Sequence, residues 1–303
     1  MPSLVHEIFS RAIPVVRRSA EVVDPERTRR EVLDGQSGAV EAPPTGRGRL
    51  RGVTLTRRSG APFPVHEVRP EGSTPTRTVL HLHGGGFVGG LDRFHWRFAA
   101  GLARDTGTRW VLPAYPLTPT HSWRDALEPL TALFTELAVE SPGGVVLAGD
   151  SAGGGLALAL AQRIARSPGP QPTGLVLVSP WVDLTGTTPG TEEAAARDPW
   201  LRLSKLKLFG SWWAGGDDPL RPEVSPLFGD HTGLPRTLVL CGTRDLLLPQ
   251  VREAVRRARA AGVEVSYEEE PGLIHVYPLL PVREGRAARR RIAAFLGGPV
   301  VAG

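Results

Sequence analysis

A single cysteine, Cys241, stands in this chain of 303 residues, so no intrachain disulfide can form. Its place at the end of an apolar run, Thr237-Leu238-Val239-Leu240-Cys241, marks it as a small buried side chain. Lysine is nearly absent, confined to Lys205 and Lys207, so the formal net charge of +5 rests on arginine. Those arginines are spread along the chain and interleaved with acids, which argues against a nucleic-acid partner and leaves only a mild compatibility with acidic substrates. Arg256-Arg257 and Arg289-Arg290-Arg291 fit the solvated faces of two helices. No apolar run in 1–23 is long enough for a signal peptide or a membrane span, so the expected location is the cytoplasm. No grouping of His, Cys and acids has metal-ligand spacing, and no internal repeat is visible.

What is present centres on Gly149-Asp150-Ser151-Ala152-Gly153. It lies where the apolar run Val145-Val146-Leu147-Ala148 gives way to the helix-like run Leu156 to Ala161. A serine on so tight a strand-to-helix turn needs near-absent side chains two residues before and after it, and both positions are glycine. Ser151 is therefore the candidate nucleophile.

A second glycine run, His83-Gly84-Gly85-Gly86-Phe87, follows the short strand pattern Val79 to Leu82. Successive glycines let main-chain amides approach a ligand, and with the N–H of Ala152 they could hold an oxygen that turns negative when Ser151 attacks a carbonyl. The run has neither the G-x-x-x-x-G-K-[ST] nor the G-x-G-x-x-G spacing of a phosphate or dinucleotide site. Late in the chain, Asp245 follows the apolar run ending at Cys241, and His275 follows the strand pattern 263–268. Both fall at strand ends on one edge of a sheet. The order Ser, Asp, His is that of α/β-hydrolases, with His275 taking the serine proton and Asp245 orienting the imidazole. Glu268, Glu269 and Glu270 are rival acids, read as solvated. Asp150 is read as a structural hydrogen-bonding residue and His83 as a brace for its loop. His81 is read as packing in a strand, and His6, His66, His95, His121 and His231 as surface or loop residues.

The H-G-G-G-F run, the G-D-S-A-G-G elbow, Ser179-Pro180-Trp181-Val182-Asp183-Leu184 and Tyr115-Pro116-Leu117-Thr118-Pro119 together resemble the bacterial hormone-sensitive-lipase family of esterases. The resemblance covers almost the whole chain. It implies an α/β-hydrolase fold with a helical cap, no cofactor, and esters of short or medium acyl chains as substrates. It makes Ser151, Asp245 and His275 the catalytic triad and assigns the oxyanion hole to Gly85, Gly86 and Ala152, with Gly84 beside it. Relatives often pair through the last strand and the C-terminal helix, although no decisive patch for a homodimer is visible. Two departures are Ala114, where an aspartate often precedes the Tyr-x-Leu-x-Pro run, and Pro249, where a second acid often follows the triad aspartate.

The alternation of apolar runs and helical patterns predicts a mostly parallel sheet covered on both faces. Strands are expected near 79–82, 109–113, 145–148, 174–179, 237–241 and 263–268, and helices near 93–105, 122–139, 152–166, 248–261 and 282–296. An antiparallel hairpin over 50–56 and 63–68 is expected at one edge. Outside this alternation, 1–45 reads as helices interrupted by Pro14 and Pro25, followed by a Gly/Pro-rich linker over 35–48. An insertion at 185–230 reads as the cap, leaving 46–184 and 231–303 as the catalytic core. Apolar residues of the cap are individually packing, but together they would favour an apolar acyl or alcohol group. Phe87, Trp181, Trp212 and Trp213 are the candidate substrate contacts. The reading is a serine carboxylesterase working through an acyl-enzyme. The alternatives are a deacetylase of an N- or O-acetylated metabolite, and a non-catalytic small-molecule receptor, which expects a missing triad member.

Overall fold

Thr78–Leu82, Arg109–Pro113, Val145–Asp150, Gly174–Val178 and Thr237–Gly242 are buried at every position, as strands are when helices cover both faces of a parallel sheet. In the computed structural model, which describes residues 2–16, 20–37, 43 and 50–297, these are strands β3 to β7. Before them come β1 Val53–Arg58 and β2 Val65–Pro70, and after them β8 Val265–Glu270. All belong to one eight-stranded sheet in the order β1-β2-β4-β3-β5-β6-β7-β8. The pairings β1 with β2 and β2 with β4 are antiparallel, and the rest are parallel. The hairpin starts later than expected because Gly52, at φ +72°, holds a turn ahead of β1, and Arg58 still pairs with Val65.

Among the described residues the helices are α1 Leu4–Val16, α2 Pro25–Ser37, α3 Arg93–Thr106, α4 Trp123–Glu140, α5 Ser151–Ala165, α6 Thr191–Arg197, α7 Leu203–Ala214, α8 Leu248–Ala260 and α9 Arg283–Phe295. Successive strand residues point to opposite faces, and the two cores follow that alternation. Val79, Val146 and Val176 pack with Trp96 and Phe98 of α3 and Ile292 of α9. Leu80, Leu147 and Leu177 pack with Leu130 and Phe134 of α4, Leu156 and Leu160 of α5 and Val251 of α8. The apolar run in α5 is buried on all sides.

Neither N-terminal proline interrupts a helix. Pro14 sits inside the last turns of α1, where it forfeits one hydrogen bond of its own. Pro25 is the first residue of α2, a position whose N–H would be orphaned anyway, and Asp24 Oδ1 caps the helix by accepting from Glu26 N at 2.9 Å and Arg27 N at 3.1 Å. Residues 35–37 belong to α2, so the expected linker begins later, and most of it lies outside the described residues. Several arginines are paired with acids. Arg252 meets Glu269, Arg256 and Arg257 share Glu253, and Arg58 meets Glu136 and Glu140. Arg289, expected in solvent, is partly buried and donates to Pro278 O at 2.6 Å.

Candidate active site

The elbow between β5 and α5 is fixed by what its glycines leave out. A β-carbon on Gly153 would lie 2.1 Å from the Leu82 carbonyl oxygen, and one on Gly149 would lie 2.2 Å from that of Gly153. Any side chain at either position would force strand and helix apart. The pinch leaves Ser151 at φ 53°, a left-handed conformation that a non-glycine residue holds only when its surroundings impose it. The Ser151 side chain faces a cavity of about 560 Å³.

Ser151 Oγ is 2.9 Å from His275 Nε2, and His275 Nδ1 is 2.9 Å from Asp245 Oδ2. Main-chain bonds join the loops that bring them there. Arg244 N donates to Leu273 O at 2.9 Å, and Gly272 N donates to Thr243 Oγ1 at 2.7 Å, so the acid loop after β7 and the histidine loop after β8 hold each other. Val276 N donates to Ser179 Oγ at 3.1 Å, with both residues at φ 46°. Burial disfavours a charged His275, but the Asp245 carboxylate, helped by Asp198 and Asp150, outweighs it and raises the imidazole above its ordinary 6.5. The rival acids go elsewhere: Glu269 pairs with Arg252, and Glu268 and Glu270 pair with Arg291.

Gly85 and Gly86 line the cavity beside Ser151, and the Ala152 N–H belongs to the first turn of α5, where amides have no intrahelical acceptor. Gly84 is engaged elsewhere. Its N–H donates to Asp150 Oδ1 at 3.2 Å, so it is turned away from any oxygen bound at Ser151. His83 stacks on Tyr115 with ring centroids 4.3 Å apart, and the Tyr115 hydroxyl donates to His83 O at 2.6 Å, bracing the glycine run.

Behind the nucleophile, Asp150 is fully enclosed. His81 Nε2 stands 3.1 Å from its Oδ1, and His95 Nε2 stands 3.4 Å from its Oδ2. His95 Nδ1 accepts from Asp92 N at 3.0 Å, the reciprocal half of the capping box that opens α3, and also lies 3.0 Å from Asp92 Oδ1. Burial opposes its charge, but Asp150 and Asp92 prevail and raise it to about 10. Burial, with the His95 charge nearby, lowers His83 to about 3, and burial lowers His81. Sequence reasoning misplaced several histidines. His6, His95 and His231 are buried, and His6 Nε2 accepts from Ile274 N at 3.2 Å, tying α1 to the residue before His275.

The candidate substrate contacts are also corrected. Phe87 and Trp213 stack face to face at 4.0 Å, with Trp181 5.6 Å from Phe87, and all three are buried in the core rather than lining the cavity. Trp212 is half-buried against Phe209 at 5.5 Å and likewise lies off the cavity wall. The apolar lining comes instead from Leu201, Leu206 and Phe209, opposite Val88 and Leu279. Two further residues were missed: Trp200, whose ring meets the His275 ring edge-on at 5.4 Å, and the buried Asp198 two positions before it. The only hint in the sequence was an acid before a proline, Asp198-Pro199, a turn-forming pair.

A family model described as the alpha/beta hydrolase fold matches residues 79–279. The solved structure of an esterase from the bacterial hormone-sensitive lipase family superposes with a TM-score of 0.83 at 28% identity, covering 98% of each chain. The chain belongs to this hormone-sensitive-lipase family of α/β-hydrolases. Within it, an acetyl-hydrolase of Streptomyces hygroscopicus is 35% identical over 226 residues, 73% of this chain and 75% of that protein. An esterase of Acinetobacter venetianus is 33% identical over 234 residues, 76% of this chain and 77% of that protein. Among the described residues of this family member, no helix is long and apolar enough to cross a membrane, and no cluster of His, Cys, Asp and Glu could hold a metal ion.

Proposed function

We propose that this protein is a carboxylesterase that hydrolyses short- to medium-chain acyl esters through an acyl-enzyme on Ser151. The observation that carries the reading is the continuous relay Ser151 Oγ, His275, Asp245, with both links at 2.9 Å, at the wall of the 560 Å³ cavity. His275 takes the serine proton as Ser151 Oγ attacks the ester carbonyl. The carbonyl oxygen, now negative, is held by the amides of Gly85, Gly86 and Ala152, each such donor being worth roughly 3 kcal/mol in the transition state. Collapse expels the alcohol, which leaves with the proton from His275, and a water activated by His275 then hydrolyses the acyl-enzyme. No cofactor enters this sequence of steps.

The helices of 1–45 and the insertion 185–230 form the cap in this reading. Supporting it, Leu206 and Phe209 of α7 line the cavity, Val22 N donates to Ser204 Oγ at 2.9 Å, and Gln36 Nε2 donates to Val88 O at 3.0 Å. The enzyme is assigned to the cytoplasm, which cell fractionation tests. Pairing of two copies through the β8 edge and α9 is tested by light scattering.

Release of nitrophenol from nitrophenyl acetate and butyrate, lost in Ser151→Ala, is the expected result. A purified protein without that activity, or a Ser151→Ala variant that retains it, overturns the reading. A second reading, removal of an acetyl group from an N- or O-acetylated metabolite, is favoured by the acetyl-hydrolase relative. Matched acetates and acetamides separate the two.

A further inference from the structure

Asp198 closes helix α6 from within the protein, 4% exposed. Its two carboxylate oxygens serve two different parts of the chain. Oδ1 accepts from Trp200 N at 2.6 Å and from Leu201 N at 2.9 Å, folding the turn that leads into α7. Oδ2 accepts from Leu246 N at 2.7 Å, the residue after Asp245. All these contacts require an acceptor, and an ionised carboxylate is an acceptor at both oxygens. Trp200, which this turn carries, meets His275 edge-on and lines the cavity with Leu201.

We propose that Asp198 is a positioning residue for the Ser151–His275 pair, clamping the turn that carries Trp200 to the loop that carries Asp245. The proposal rests on the esterase reading above. It gives the carboxylate two tasks. One is geometric: the acid loop and the cavity wall are fixed by a single group, so the His275 ring is bounded by Asp245 on one side and Trp200 on another. The other is electrostatic: burial and the neighbouring Asp245 raise the Asp198 carboxyl to about 6, so it is ionised at pH 7 and above, and there it favours the imidazolium that forms as Ser151 attacks. The charged groups facing His275 are Asp245 on the loop after β7, Asp198 on the turn after α6 and Asp150 at the end of β5. His95 Nε2 stands 3.4 Å from Asp150 Oδ2. The Arg202 guanidinium donates to the Asp198 main-chain oxygen at 3.1 Å.

The test is Asp198→Asn, an isosteric change that replaces one accepting oxygen with a donor and removes the charge. Each preparation is first titrated with a fluorophosphonate, so that rates refer to reactive sites and misfolded protein drops out. A wild type that neither turns over nitrophenyl esters nor takes the label contradicts the esterase reading itself, so that failure is distinct. Given an active wild type, kcat per titrated site is expected to fall roughly 10-fold or more through misplacement of the reacting groups. The acidic limb of kcat/KM is expected to move down by about half a pH unit or more as an opposite charge near His275 is lost. Wild-type kcat per site, or an acidic limb within about 0.2 pH unit of wild type, overturns the proposal. As a second variant, Trp200→Leu keeps the charge and removes the ring. It is expected to lower kcat while leaving the limb in place, and a shift matching that of Asp198→Asn would overturn the electrostatic task.

Discussion

The His95 imidazole stands 3.4 Å from the Asp150 carboxylate, immediately behind the nucleophile, with both side chains enclosed by protein. Because Asp150 also accepts the Gly84 N–H, this ion pair lies under both the elbow and the glycine run. Removing the imidazole would take a partner from a buried anion beside the position where the substrate oxygen becomes negative. His95→Gln is therefore expected to destabilise the protein by about 1–3 kcal/mol and to lower kcat. Urea unfolding and ester hydrolysis measure the two effects.

The same pair sets a dependence of stability on pH. His95 is raised from 6.5 to about 10, so its contribution is complete below 6.5 and is lost as pH rises through about 10. Asp150 is held below its ordinary value of 3.8, by His95 and His81 against the effect of burial. Its contribution is present above 3.8 and is lost at lower pH. The melting temperature should fall between pH 8 and 10.5 in the wild type, and Asp150→Asn should flatten that decline. An unchanged slope in the variant would contradict the pairing.

Activity should follow a different group. His275 must be neutral to accept the serine proton, and its pairing raises it above 6.5. The acidic limb of kcat/KM is therefore expected above pH 6.5. Asp245→Asn should cost roughly 10⁴-fold in kcat, since the imidazole loses its orienting partner. Rates against pH with nitrophenyl butyrate test both statements.

Cavity shape and core packing separate at two aromatic positions. Phe209 lines the cavity, so Phe209→Ala should raise kcat/KM for octanoate relative to acetate. Trp213 stacks on Phe87 away from the cavity. Trp213→Leu should lower stability by roughly 2–4 kcal/mol without reordering the acyl preference.

Glycine substitutions discriminate as sharply. Gly153→Ala would drive its methyl into the Leu82 carbonyl at 2.1 Å, and no soluble folded protein is expected. Gly35 in α2 has nothing within 4 Å of such a methyl, so Gly35→Ala should stabilise by about 0.5–1 kcal/mol. The yield of soluble protein checks the first and a circular dichroism melt the second.

The sheet was legible because buried parallel strands are continuous apolar runs and need no partner to be seen. Val145 to Ala148 and Thr237 to Cys241 are examples, and the structure only lengthens them at their ends. Ser151 and Asp245 stood out as candidates for a related reason, since each follows such a run, whereas His275 follows the half-buried, acid-rich strand β8 and stood out by its order after them. What escaped was side-chain pairing across elements. His95 reads as an ordinary residue of an amphipathic helix, and only the stacking of α3 on the sheet brings it to Asp150. Asp198 gains its importance from Leu246, far along the chain. The aromatic residues misled because their size fits a pocket as well as a core, and composition does not distinguish the two. Pro14 and Pro25 were read as breaks, yet α1 continues through Pro14 at the loss of one hydrogen bond, and Pro25 stands at a helix start, where the missing N–H costs little.

The bond from Ile274 N to His6 Nε2 carries a practical consequence for anyone handling this enzyme. Removing α1 would free the Ile274 amide, one residue away from His275. Kinetic constants of versions with and without α1 are then expected to differ although Ser151, Asp245 and His275 are intact.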